Sequence, residues 1–328
     1  MPNEPSNERP GFAKLPEFLV EYADEIERIF AEAAGEIAEF PDGLRELGQA
    51  LLAKSDPMRN GGTTNGICYL LPYWAGEPAG SPIGLCRELA VANIYMMLHF
   101  FLVDDAMDGE EGGPGNGVRA YLSLSELFHE RFLRRYARHF SSDSPLWGYN
   151  RKYLEEWARV VYRETDLPAD PRDVGRLAGK AAPVKLCATG LLIGAGREED
   201  VSRTEEAVDL ALAVLQLSDD LADWRDDLPK QANANAFLTL VKERLQPDAA
   251  LDETAVKRAI YRHGCLDRLA DIADSHVARM GLLEGAQPKL AAFQAWIAAS
   301  IRKDAREVEE WTTKLAAGGG FANYLSKL

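Results

Sequence analysis

Positive charge is what this sequence is shortest of. It carries 37 lysines and arginines against 52 aspartates and glutamates, a formal net charge of -15 over 328 residues. Nucleic acid is bound through a basic surface that displaces counterions, so that class of partner is excluded. Cysteine is scarce too: Cys68, Cys86, Cys187 and Cys265 are the four, and no two form a CxxC pair. Scattered thiols of this kind read as reduced core residues of a cytoplasmic protein, not as disulfides or metal ligands. Long apolar runs are missing as well. The longest, 89–103 and 207–217, fall short of the roughly 20 residues of a membrane-spanning helix and contain Asn93, His99, Asp209 and Gln216. The first residues are polar and proline-rich, with no apolar targeting core. Residues 1–14 are therefore expected to be a tail and 15–328 a single domain.

What the chain does have is a 46% hydrophobic composition, enough for a sizeable core, and two apolar runs that each end abruptly in acid. Asn93 to Val103 runs into Asp104, Asp105 and Asp108, and Ala207 to Leu217 runs into Asp219, Asp220, Asp223 and Asp227. Each run reads as a helix apolar nearly all round, which belongs at the centre of an all-α protein. Side chains three and four apart share a helix face, so Asp104, Asp105 and Asp108 can converge, as can Asp219, Asp223 and Asp227. Carboxylates gathered in a low-dielectric site repel one another and need a cation. Mg²⁺ answers that need, because it takes one or two carboxylates together with waters and substrate phosphates.

Elsewhere, apolar periodicity predicts helices over 18–37, 43–54, 118–140 and 145–165, another over 172–194 kinked at Pro183, and three or four more after residue 237. Residues 56–66 read as a loop, and glycine-rich 109–117 as a flap or a plain connector. The basic cluster Arg131, Arg134, Arg135, Arg138 and His139 reads as a solvated helix face.

Phe100-Phe101-Leu-Val-Asp104-Asp-Ala-Met-Asp108 resembles the first DDxxD motif of the class I isoprenoid synthases, and Leu215-Gln-Leu-Ser-Asp-Asp-Leu-Ala-Asp223 resembles the second motif of the trans-polyprenyl diphosphate synthases. Lys185-Leu-Cys-Ala-Thr-Gly190 is similar to the Lys-Thr segment that holds diphosphate in that family. The likeness covers roughly residues 85 to 240. It implies an all-α, single-domain class I terpenoid synthase bundle around a central cavity, and a prenyl diphosphate substrate. It also implies three Mg²⁺ ions on Asp104, Asp105, Asp108, Asp219, Asp220, Asp223 and Asp227, and extends to a homodimer. Catalysis falls to Asp104, Asp105, Asp108, Asp219 and Asp223. Lys185, Arg225, Lys230 and Gln216 are expected around the substrate. Phe100, Phe101 and His99, just before the first motif, are expected to line the chain pocket and limit its depth.

The chain departs from the elongating enzymes where they carry GKxxRP. Asn60 to Pro72 contains no lysine or arginine, so the site for a second diphosphate is expected to be absent. The reading is then a terpene synthase ionising one linear C15 or C20 allylic diphosphate. The alternatives are a prenyltransferase that condenses such a substrate with isopentenyl diphosphate, and a non-catalytic homologue that binds a partner synthase.

Overall fold

In the computed structural model, residues 16–60, 65–107, 117–230, 232–246 and 249–317 are described. Among them every regular element is helical: α1 Glu17–Val20, α2 Ala23–Ile37, α3 Leu44–Ser55, α4 Pro57–Asn60, α5 Gly66–Ala79, α6 Ile83–Met107, α7 Gly117–Ala137, α8 Leu146–Val161, α9 Val174–Gly179, α10 Leu186–Gly194, α11 Val201–Asp227, α12 Ala236–Lys242, α13 Glu253–Arg262, α14 Cys265–Gly281 and α15 Pro288–Ala317. Short 3₁₀ turns precede α10, at Ala182–Lys185, and α11, at Glu198–Asp200. The helices fall into two compact units, 1–150 with 183–201 and 151–182 with 202–328.

Unit one is built on α6, which packs against α2, α5, α7 and α10. Its residues from Leu89 to Leu98 are buried without interruption, as an all-round apolar sequence requires. The helix is longer than the apolar run alone suggested. It is the one helix among the described residues long and apolar enough to cross a membrane, yet 61% of its most apolar window is buried inside the protein, which fits a core helix. Several buried polar groups of this unit are paired. Asn93 donates to Cys68 O and accepts from the Tyr136 hydroxyl, and Glu25 binds Arg87 and Tyr73. Arg135, expected on a solvated face, is 1% exposed and binds Glu32, Glu36 and Glu88 at 2.7–2.9 Å. That residue pins α7 to α2 and α6, and with His99 meeting Ser125 it sets α6 and α7 antiparallel.

Gly76 shows how closely α5 and α6 approach: a Cβ there would lie 2.4 Å from the Cys86 sulfur. Gly76→Ala is expected to cost about 1–3 kcal/mol by overpacking. Adding Cys86→Ala should recover much of that loss, and additive urea midpoints in the double variant would refute the contact.

Unit two is organised by α14 and α15, with α12 and α13 packed beside them. Arg302 of α15 is clamped by Asp271 and Asp274 of α14. The segment before α12 is lashed down by Asn233, whose carbonyl accepts from Ala169 N and whose side chain bonds Thr165 O and Lys242. The helix expected over 172–194 is broken rather than kinked. Pro183 lacks an amide hydrogen and clashes with the preceding turn, so α9 stops at Gly179, the 3₁₀ turn Ala182–Lys185 intervenes, and α10 begins at Leu186.

Candidate active site

The first acidic cluster closes the C-terminal end of α6 in unit one. His99 is held by α7: its Nδ1 lies 3.0 Å from Ser125 O, its ring stacks on His129, and Phe100 meets it edge-on. A carbonyl can only accept, so Nδ1 carries the proton, and burial pushes the imidazole below its usual range toward the neutral form. Leu102 is fully buried, Phe101 is 43% exposed, Asp104 is exposed and Asp105 half-buried. Asp108 and the glycine-rich segment up to residue 116 lie outside the described residues. The last turn of α6 contains no basic residue. Acids at the negative end of a helix dipole are electrostatically unfavourable, so this terminus is predisposed to a cation.

The second cluster lies on α11 in unit two, and its four aspartates occupy different environments. Asp220 is buried and both its oxygens are engaged: Oδ1 accepts from Gln216 Nε2 and Oδ2 from the Ala236 amide, each at 2.7 Å. Asp227 accepts from Asn235 at 2.8 Å. Asp219 and Asp223, one turn apart, accept no hydrogen bond from any described residue. Asp219 is hemmed in by protein while part of its surface stays open. Burial, aided by Asp220 and Asp223, pushes its carboxyl up to about 7. The opposing positive charge is Lys180, at the end of α9, which acts on both Asp219 and Asp220 and is ion-paired with Glu164.

The expected basic residues are distributed unevenly. Arg225 is exposed, with its guanidinium 4.6 Å from the ring centre of the adjacent Trp224. Lys230 is exposed beyond the end of α11, and Lys185 is buried in the 3₁₀ turn that opens α10 in unit one. Gln216, expected at the substrate, is bonded to Asp220. Lys180 and Asn235 were missed. Asn235 stands directly before the apolar run Ala236-Phe-Leu, a helix-start signal that was there to be used. Lys180 could not be preferred to Lys185 without knowing where the helix breaks.

These helices adopt the all-α isoprenoid synthase fold that the aspartate motifs led us to expect. The chain is similar to the crystal structure of geranylgeranyl pyrophosphate synthase from Lactobacillus brevis ATCC 367, with a TM-score of 0.62 and 14% identity over 85% of this chain and 97% of that one. No protein-family model matches the chain, and no curated protein matches it in sequence.

The residues suit magnesium. Asp219 and Asp223 present hard carboxylate oxygens one helical turn apart with no protein donor satisfying them. Among the described residues no three His, Cys, Asp or Glu side chains gather closely enough to hold a metal ion, so the convergence expected of Asp219, Asp223 and Asp227 is not seen.

Proposed function

We propose that the chain is a Mg²⁺-dependent isoprenoid synthase that ionises an allylic prenyl diphosphate. The observation that carries this is the pair Asp219 and Asp223, left without hydrogen-bond donors while Asp220 and Asp227 of the same cluster are engaged, in a chain with this fold. When bound, the metal withdraws charge from the diphosphate leaving group and favours breakage of the carbon-oxygen bond. Asp219 and Asp223 would hold it in unit two; in unit one, Asp104, Asp105 and Asp108 are the acids that would bind a cation. Lys180, already within electrostatic reach of Asp219, supplies a permanent positive charge for the phosphate oxygens. Arg225 and Lys230 are further candidates on the same unit, and Lys185 on the other. Phe100 and Phe101 offer aromatic faces to an allylic cation. His99, neutral and fixed in tautomer, offers an imidazole that does not add positive charge beside one.

Two readings of the reaction follow. The similar solved structure is of a geranylgeranyl pyrophosphate synthase, which favours chain elongation, the joining of an allylic diphosphate to isopentenyl diphosphate. The absence of lysine and arginine from Asn60 to Pro72 favours the single-substrate reaction, which releases a cyclised or linear C15 or C20 terpene. Incubation with Mg²⁺ and C10, C15 or C20 diphosphate, alone and then with isopentenyl diphosphate, separates them. Longer diphosphates formed only with the second substrate establish elongation. Hydrocarbon or alcohol from one substrate establishes the lyase, and no turnover in any mixture overturns both.

A further inference from the structure

Asn235 is 1% exposed, and its side chain makes three hydrogen bonds. One Nδ2 hydrogen goes to the backbone carbonyl of Asp220 at 2.7 Å and the other to Asp227 Oδ2 at 2.8 Å. Its Oδ1 accepts from the Leu238 amide at 2.9 Å, capping α12. Asp220 itself completes the joint from the α11 side, its Oδ2 accepting the Ala236 amide. A single neutral side chain thus fixes a carboxylate at the end of α11, the α11 backbone two turns higher, and the start of the next helix.

We propose that Asn235 is the positioning residue of the second acidic cluster: it orients Asp227 and, with Asp220, clamps α12 to α11, so that Asp220 serves as an anchor and not as a metal ligand. This rests on the metal-binding reading of Asp219 and Asp223 given above. The partition follows from saturation. Asp220 has each oxygen committed to a protein donor, and turning it to a cation would strip a buried amide of its partner, which costs about 1–3 kcal/mol. Asp219 and Asp223 have no such commitment. Asp227 has one oxygen steered by Asn235. Carboxylates steered from behind in this way commonly lose tenfold or more in metal affinity when the supporting hydrogen bond is removed.

The test uses the full chain and Mg²⁺ titrated calorimetrically in the presence of inorganic pyrophosphate, beside melting curves taken in EDTA. Asn235→Thr keeps an oxygen to cap Leu238 but cannot supply both donated bonds. It should weaken Mg²⁺ binding about 10–100-fold while melting within a few degrees of wild type. Asn235→Ser, with the same oxygen on a smaller side chain, gives the same readout if threonine is not accommodated. Asp220→Asn should lower the melting temperature yet leave the Mg²⁺ affinity of the folded protein within about threefold. Wild-type affinity in both Asn235 variants would reduce Asn235 to a plain helix cap and overturn the proposal. So would a tenfold loss of affinity in Asp220→Asn with unchanged melting. A wild-type chain that binds neither Mg²⁺ nor pyrophosphate would overturn the functional reading as well, which sets that failure apart from the other two.

Discussion

Asp219→Asn is expected to lower turnover at least about a hundredfold, as loss of a group that stabilises developing charge does, and at the same time to stabilise the metal-free protein at alkaline pH. The two effects share one cause. Burial among other acids raises the Asp219 carboxyl from 3.8 to about 7. Between those values the folded chain retains a proton that the unfolded chain has released, so stability falls as pH rises through this window, and the loss is complete above it. Asparagine has no proton to lose and escapes the penalty. In EDTA at about pH 8 the variant should melt a few degrees above wild type, a gain of order 1–2 kcal/mol once the open part of the side chain is discounted. At about pH 4 the difference should vanish. A variant that melts below wild type at pH 8 would show that Asp219 is held by unrecognised partners. Asp104→Ala, at an exposed position, should lose turnover with little change in melting at either pH.

Arg135→Met is expected to be the most destabilising single substitution in unit one, at about 3–5 kcal/mol. Removing the guanidinium leaves Glu32, Glu36 and Glu88 converging on an apolar side chain, with relief from Arg138 on Glu88 and from the Tyr95 hydroxyl on Glu36. Lysine should not rescue it, because one ammonium cannot reproduce a planar fork that reaches three carboxylates. Urea unfolding followed by tryptophan fluorescence measures the effect. A loss under about 1 kcal/mol would mean that the carboxylates re-solvate freely and that the buried clamp contributes little.

Arg135 also marks a limit of reading the chain unaided. Five basic residues spaced along one helix have the signature of a wet surface, and only the convergence of α2 and α6 turns one of them inward. The buried stretches of α6 and α11 were legible, because apolar residues on nearly every side of 89–98 and 207–217 leave little polar face to show to water. The acids at their ends were legible for the same reason, as abrupt reversals of polarity. How those acids divide their work was not. Asp219 and Asp220 are adjacent and chemically identical, and what separates them is whether the Ala236 amide and Gln216 reach the carboxylate. That Lys180 faces Asp219 and Asp220 likewise depended on whether proline bends the helix or breaks it.

The chain passes between its two units at residues 150, 182 and 201, so neither is an unbroken stretch of the polypeptide. A stop codon after Asn150 would yield α5 without α10, the helix that packs on it from 186–194. Neither half is a single uninterrupted segment that could be excised on its own. A ribosome must therefore have passed residue 201 before unit one has all of its parts.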